Sequence, residues 1–510
     1  MLDTRAPDTD DAAPARPGHR VWLDRLAPLL PALFMLVLGI WGLGRDDAMG
    51  NDEVATRWIA SLSLPAMRHV LSHLDAVHGL YYGLIHFWLH VGRSPTAIRV
   101  PSLLAAVLAV VVVARLGRRI TGSTRAGMTA GLVAAGTSSV SFYAQTARSY
   151  TMVYLVVALA TLVLVRCLDP EPGTSAFAVT RLWATYGLLV VVGGYLNELS
   201  LLVLGAHLVT VLCARRGWGA LVRWLASAVV AVLLVLPLIR LSQQQSTVLD
   251  YLTPPDGADV WTLFHLMFGG TAVVAVLVAA VAAVGAVTRV PTAAPVNAAS
   301  VGLPLLVVPA ALLMLYSEVE TPLYADRYVL FGEIGAALLA GAGLERLLTL
   351  VPAPRRVAAA VVLVACAAVF LGQLGTQQEI RTPASRQFDF GGPAQFVGQH
   401  ARPGDGVLFF GLFYRKARLG YPEDFRDTTD FAMEATPAAV ASFRGRNLPF
   451  GAVRQLMLGY RRIWVVGRPA ASVGGTTPAV QLQAAVLERH FTRVEHATFG
   501  KVTATLWRRI

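Results

Sequence analysis

The sequence predicts an α-helical polytopic membrane protein of about eleven transmembrane helices, followed by a small extracytoplasmic α/β domain. Three observations predict it. Of 510 residues, 55% are hydrophobic and only 15% charged, with a mean hydropathy of +0.57; soluble domains carry about 25% charged residues. Stretches such as "SLLAAVLAVVVVARLG" (102–117) are continuously apolar and approach the ~20 residues a membrane helix needs. They also lack the alternation of a barrel strand, the other structure that satisfies its own backbone in lipid. After about residue 375 the pattern changes to short strand-like and amphipathic segments.

Residues 1–20, rich in Asp, Ala, Pro and Arg, read as a disordered cytoplasmic tail without a signal-peptide pattern. A membrane domain is expected over 21–375. Its apolar runs lie near 25–44, 97–117, 125–142, 150–167, 182–197, 199–214, 222–241, 262–288, 300–317, 328–345 and 356–375. A twelfth run, 76–92, alternates aromatic and histidine positions and fits a helix lying in the interface. With that assignment every Arg-rich connection falls on one side: 115–125, 166–181, 215–223 and the "PAPRR" turn. The positive-inside rule makes that side the cytoplasm, so the N-terminus is inside. Loop 45–96, the turns at 141–150 and 318–328, and residues 376–510 are then outside. In the last segment, "RPGDGVLFF" and "YRRIWVVG" predict strands, 477–491 an amphipathic helix, and 501–509 a final strand after a short link.

The formal charge of +12 comes almost wholly from arginine, with Lys416 and Lys501 the only lysines. Most arginines flank apolar runs, and no nucleic-acid partner is expected. Cys167, Cys213 and Cys366 show neither disulfide nor zinc spacing. The His69/His73 and His86/His90 pairs lack the glutamate of an HExxH pattern. Neither a metal nor another cofactor is predicted.

Candidate chemistry gathers at the ends of the runs. In "MGNDEVATRWIA" Asn51 is expected to cap a helix that Pro65 ends, with Asp52 and Glu53 in its first turn. The helix dipole favours carboxylates there by about 0.3–1 kcal/mol each, so the pair has a structural reading beside a catalytic one. His78, Tyr82, His86 and His90 make one stripe of the 73–90 segment. In "SFYAQTARSYTM", Gln145, Arg148 and Tyr150 suit a phosphate site. Asp326, Arg327 and Tyr328 of "YADRYVLF" mark a second boundary. Arginine on the outer side runs against the positive-inside bias, and anchoring and function are both open for Arg148 and Arg327. Asn197 and Glu198 read as a short turn.

The ordered set of the acidic pair, "GLYYGLIHFWL", "RVPSLLAAVLAVVVVARLGRRITG", "FYAQTARSYTMVYL" and "DRYVLFGEIGAALLAGAGLERLL" resembles glycosyltransferase family 39. These are protein O-mannosyltransferase-like membrane enzymes of the GT-C superfamily. The resemblance covers about 22–375, and the tail is similar to bacterial members with an extra outer domain. It implies inverting transfer of a sugar, mannose first, from a polyprenyl-phosphate donor to a hydroxyl of a glycan, lipid or protein acceptor. It also implies Asp52 as general base with Glu53 beside it, and Arg148 and Arg327 on the lipid phosphate. The family's HPPLYY motif reads "AVHGLYY" here, so His78 is shifted relative to it, while Tyr82 is retained. A transporter or lipid flippase would want polar groups near the bilayer midplane, and the runs offer almost none. The sequence also leaves room for a non-catalytic scaffold, and for a transferase using a different lipid-linked sugar such as arabinofuranose.

Overall fold

The structure, a computed structural model, describes residues 27–246, 251–287, 295–350, 354–386, 388–468 and 477–510. The expected tail at 1–20 lies outside the described residues.

All eleven long apolar runs are helical. In chain order they are α1 (Leu29–Ile40), α5 (Pro95–Thr121), α6 (Thr124–Gly136), α8 (Tyr150–Leu168), α9 (Ala176–Leu196), α10 (Val203–Ala214), α11 (Trp218–Gln243), α12 and α13 (Gly257–Phe268 and Ala272–Val287), α14 (Ala298–Val319), α15 (Glu333–Leu350) and α16 (Arg355–Leu371). By length and composition six of these segments are long enough to cross a membrane: α5, α8, α9, α11, α14, and Asp326–Leu350, which includes α15. The α12–α13 pair, bent by 69°, makes a seventh. The run at 262–288 is therefore broken, and α1 at 12 residues is shorter than its apolar run. The run at 125–142 is likewise split at Thr137, where α7 (Ser138–Ala144) begins.

Between α1 and α5 lie three short helices, α2 (Asn51–Ser61), α3 (Leu64–Leu71) and α4 (Gly79–Trp88). Ten residues of α helix reach about 15 Å, too short to cross. Instead α4 exposes Leu80, Leu84 and Phe87 on one side. Two local expectations are corrected. Gly50, in extended conformation, is the N-cap of α2, and Asn51 is already helical. The helix also stops at Ser61, because Pro65 sits in the first turn of α3, where its missing N–H costs nothing.

Helix packing follows side-chain size. The α15 segment "GAALLAGAG" is buried almost throughout, and a Cβ on Gly343 would stand 1.9 Å from the Val281 carbonyl oxygen of α13. Small residues of this kind let membrane helices touch backbone to backbone. In contrast, α11 exposes Val222, Leu225, Val229, Val230, Leu233 and Leu234. Apolar area on that scale needs lipid against it. The bundle also carries more polar groups than its runs suggested. Glu333 accepts from Thr137 (3.1 Å) and Tyr154 (2.5 Å), and His207 bonds Thr161 and Tyr186 at 3.0 Å each. Each cluster is bonded internally, which is how buried polar groups become tolerable.

The C-terminal part begins with α17 (Leu374–Glu379), which packs on the bundle, and continues through α18 (Gly391–His400). Strands β1 (Asp405–Phe410), β2 (Thr428–Asp430), β5 (Arg462–Gly467), β6 (Phe491–Phe499) and β7 (Val502–Arg509) form one sheet in the order β2-β1-β5-β7-β6. A small β3–β4 ribbon (Met433–Ala435, Arg446–Asn447) lies apart. The pairs β1–β2 and β1–β5 are parallel, and β7 is antiparallel to both neighbours. The expected short link is in fact β6: its alternating exposure shows an edge strand with one wet face. Helices α20 (Phe450–Gly459) and α21 (Pro478–His490) pack together. Between β1 and β2, α19 (Lys416–Gly420) leans on α2. A Cβ on Gly420 would come within 2.8 Å of Val54, so glycine there permits the approach.

Candidate active site

Four segments meet α2 at the end of the bundle that carries the sheet domain: α4 with the turn before it, the 145–150 turn, the segment 326–328, and α19. Hydrogen bonds fix the approach. Thr56 donates to the Ala147 carbonyl (2.8 Å), Ser102 to the Arg148 carbonyl (3.0 Å), and Ala147 N–H to Glu53 (3.2 Å). From the sheet domain, the Tyr421 hydroxyl accepts from Met49 N–H (2.8 Å) and donates to the Asp47 carbonyl (2.6 Å).

The two neighbouring carboxylates face different surroundings. Glu53 is 1% exposed and accepts from Arg99 at 2.8 and 3.2 Å. It also accepts from Gly50 N–H (3.2 Å) and lies 3.7 Å from Arg45. Burial pushes its carboxyl up, but Arg99, Arg386 and Arg45 together hold it well below the usual carboxylate range. Arg99 spends its remaining donors on the carbonyls of Leu43, Gly44 and Ala48. Glu53 is thus the hub of a buried framework, not a free base.

Asp52 is half-buried, and no hydrogen bond from the described residues reaches its carboxylate. Burial again pushes it up. The field of Arg148, then Arg327 and, more weakly, Lys416, outweighs burial and draws it below its ordinary value. Arg148 pairs with Asp75 (3.0 Å) and donates to the Tyr82 hydroxyl, which itself donates to Asp75. Its Nε is buried without a partner. His78 bonds Ser149 at 3.0 Å and stands edge-on to Tyr82 and Tyr150. Burial and then Arg148 push its imidazole down to about 3, so it is a neutral ring at this site. Arg327 donates to the Tyr251 hydroxyl (3.0 Å), lies over the Tyr328 ring (5.1 Å) and has an unpartnered buried Nε. Tyr150, Asn197, Arg327 and Tyr328 share the lining of a cavity of about 10 Å³. A larger one, about 320 Å³, lies between α2, α4 and α19, lined by Arg57, Ser61, His86, His90, Arg93 and Glu423 among others.

Of the residues singled out in the sequence, Asp52, His78, Tyr82, Arg148, Tyr150, Arg327 and Tyr328 come together. Glu53 and Gln145 turn away. The Gln145 amide faces the carbonyls of Leu38, Gly39 and Trp41 at 2.6–3.3 Å. These belong to the open carbonyl end of α1, which Arg381 also serves. Gln145→Leu is therefore expected to cost about 1–3 kcal/mol of stability and to leave ligand affinity unchanged, as thermal unfolding and a binding isotherm on the same preparation will show.

Sequence reasoning missed Asp75, Arg99 and Lys416. Asp75 sits directly before "AVHGLYY" with φ 57°, a left-handed conformation that Asp tolerates. Arg99 looked like part of an apolar run. Lys416 lies hundreds of residues away, where only tertiary structure joins it to α2. Among the described residues no three His, Cys, Asp or Glu side chains gather to hold a metal.

This arrangement, with a polar site where loops and a sheet domain meet one end of a helical bundle, is a fold with solved counterparts. The chain superposes on ArnT from Cupriavidus metallidurans in the apo state with a TM-score of 0.64 and 14% identity, covering 96% of this chain and 98% of that one. For the same protein bound to undecaprenyl phosphate the values are 0.59 and 16%, with the same coverage. The Archaeoglobus fulgidus oligosaccharyltransferase with Zn and sulfate is more distant, at TM-score 0.48 and 10% identity, covering 94% of this chain and 72% of that one. Compared by sequence, the chain matches no family model and no curated protein.

Proposed function

We propose that the protein is an inverting membrane glycosyltransferase that moves a monosaccharide, mannose first, from a polyprenyl phosphate to an acceptor hydroxyl. The observation that carries this reading is the Asp52 carboxylate. It has no hydrogen bond from the described residues and lies within the field of Arg148, Arg327 and Lys416. The fold is shared with a protein solved with undecaprenyl phosphate. The Arg-rich connections support an N-terminus inside and a sheet domain outside, which puts the site at the outer leaflet.

The acceptor oxygen attacks the anomeric carbon as its proton passes to Asp52. The carbon–oxygen bond to phosphate breaks on the opposite face, and polyprenyl phosphate leaves with the electron pair. One carboxylate near the incoming hydroxyl suffices for inversion. Arg148 and Arg327 hold the leaving phosphate, since preorganised guanidinium charge in a water-poor site is worth most where negative charge develops. Asp75 and Tyr82 aim Arg148, and the neutral His78 offers a hydrogen bond without adding charge. The polyprenyl tail binds by burial along the lipid-facing bundle, about 25 cal/mol per Å².

The test is transfer from radiolabelled polyprenyl-phosphate mannose, then arabinofuranose, in membranes holding the full chain. Product from either donor with inverted configuration supports the reading, and mannose alone supports its finer form. No product from any polyprenyl-phosphate sugar overturns it. Arg327→Gln is expected to raise the donor KM by 10-fold or more, about the 1.4 kcal/mol or greater of a charged hydrogen bond.

A further inference from the structure

Lys416 is one of two lysines among 43 basic residues, in a chain that otherwise writes its positive charge as arginine. It is also the basic side chain that the sheet domain places against the start of α2. It is 7% exposed, its ammonium donates to Asn51 Oδ1, and it lies 5.1 Å from the Phe413 ring and 4.5 Å from Phe443. Asn51 is the first residue of the helix whose second is Asp52. The surrounding contacts hold this geometry in place. Arg57 of α2 donates to Gly420 and Glu423 (2.9 Å to the latter), and Trp58 packs on Phe443.

We propose that Lys416 is a positioning residue for the transfer reaction, through which the sheet domain becomes part of the active site. The ammonium pins Asn51 and so fixes the first turn of α2 that carries Asp52, and its charge adds to those of Arg148 and Arg327 there. This rests on the transferase reading above. A lysine suits the slot because its compact ammonium is a point charge that serves one acceptor, Asn51, between two aromatic rings. Unlike arginine it can also lose its charge.

The groups facing it set where that happens. Burial pushes the ammonium down to about 8; Asp52 and Asp75 push it up, while Arg148 and Arg444 push it further down. Lys416 is therefore charged below about pH 8 and above it loses the charge that strengthens its bond to Asn51 and acts on Asp52. In the wild type, kcat is expected to fall above that pH. Lys416→Gln is expected to lower kcat at pH 7 by about 10- to 100-fold, with donor KM little changed, as for a small misplacement of a reacting group. Its remaining activity should lack the alkaline fall. Lys416→Arg should recover part of kcat and carry activity to higher pH.

A second readout needs no turnover. With lysine labelled by nitrogen-15, the full chain in detergent gives two side-chain signals, assigned by Lys501→Arg. The Lys416 signal is expected to titrate below that of Lys501 and to move lower still in Asp52→Asn. Lys416→Gln with wild-type kcat and an unchanged pH profile overturns the proposal. So does a Lys416 signal that ignores Asp52. A signal that responds to Asp52 in a protein that transfers no sugar overturns the transferase reading instead and leaves the Lys416–Asp52 linkage standing.

Discussion

Asp52→Asn is expected to lower kcat for sugar transfer by about 10²–10⁴-fold, the range that a positioned general base contributes, while leaving the fold intact. The second half of that statement comes from the hydrogen-bond network. Replacing Asp52 breaks no hydrogen bond to its side chain among the described residues, so amide and acid are equally tolerated by packing. Stability is then expected to change by no more than about 0.5–1 kcal/mol, the share a first-turn carboxylate draws from the helix dipole.

The electrostatics sharpen the prediction. In the free enzyme, burial raises the Asp52 carboxyl and the cations lower it further than burial raises it. A carboxylate so depressed is a poor proton acceptor. On the proposed reading, a donor phosphate seated on Arg148 and Arg327 would offset the two largest of those opposing influences and let the Asp52 carboxyl rise. The base would then become effective only once the donor is seated. The sign follows for pH. Activity requires ionised Asp52 and is lost as pH falls through its pKa, so the acid limb of kcat/KM for donor lies below the ordinary carboxylate range. The limb of kcat, which reports the donor-bound enzyme, lies at higher pH. Two coincident acid limbs would count against the linkage. Loss of both in Asp52→Asn, with helicity and Tm kept, would support it.

How much of this was visible beforehand depended on whether local sequence carried the information. Apolar runs report helices because lipid demands internally bonded backbone, and all eleven are present. The short helix α4 was legible from its apolar and aromatic stripes. What the runs did not show was where helices break: Thr137 and Gly269–Gly270 interrupt segments that read as continuous runs. Nor did adjacency predict role. Asp52 and Glu53 look alike in sequence, yet successive helical positions point about 100° apart. One therefore meets the site and the other the interior beneath the sheet domain. Gln145 and Arg148 diverge because a non-helical turn separates them. Arg99 and Lys416 were illegible because their partners are tertiary, across 46 and 365 positions of the chain respectively.

Glu53→Gln is expected to destabilise the protein by about 3–5 kcal/mol, the cost of removing one partner from a buried ion pair. The size follows from the number of charges that Glu53 serves. Arg99 is fully buried and Arg45 is 5% exposed, and Arg386, 6% exposed, also draws on the same carboxylate. Two nitrogens each of Arg45 and Arg386 have no hydrogen-bond partner, so the framework is already short of acceptors. Burial, and after it the charge of Arg386, pushes Arg45 below its ordinary value. Without Glu53 they would repel across the joint where residues 381–386 dock on the α1–α2 connection. Arg99→Leu is expected to be milder, because it removes a buried cation along with the pair and leaves Arg45 to answer Glu53. Thermal unfolding in detergent at fixed ionic strength would rank the two, and a Glu53→Gln protein as stable as wild type would refute the hub. Its pH signature is also set. A depressed carboxyl contributes stability above its unfolded pKa and loses it as pH falls through the folded value. The gap between wild type and Glu53→Gln should thus hold from pH 7 to about 5 and close only in stronger acid. Activity should fall along with folding in this variant, whereas in Asp52→Asn it falls alone. The neighbouring carboxylates are therefore separable by experiment, one through the reaction and the other through the scaffold that positions it.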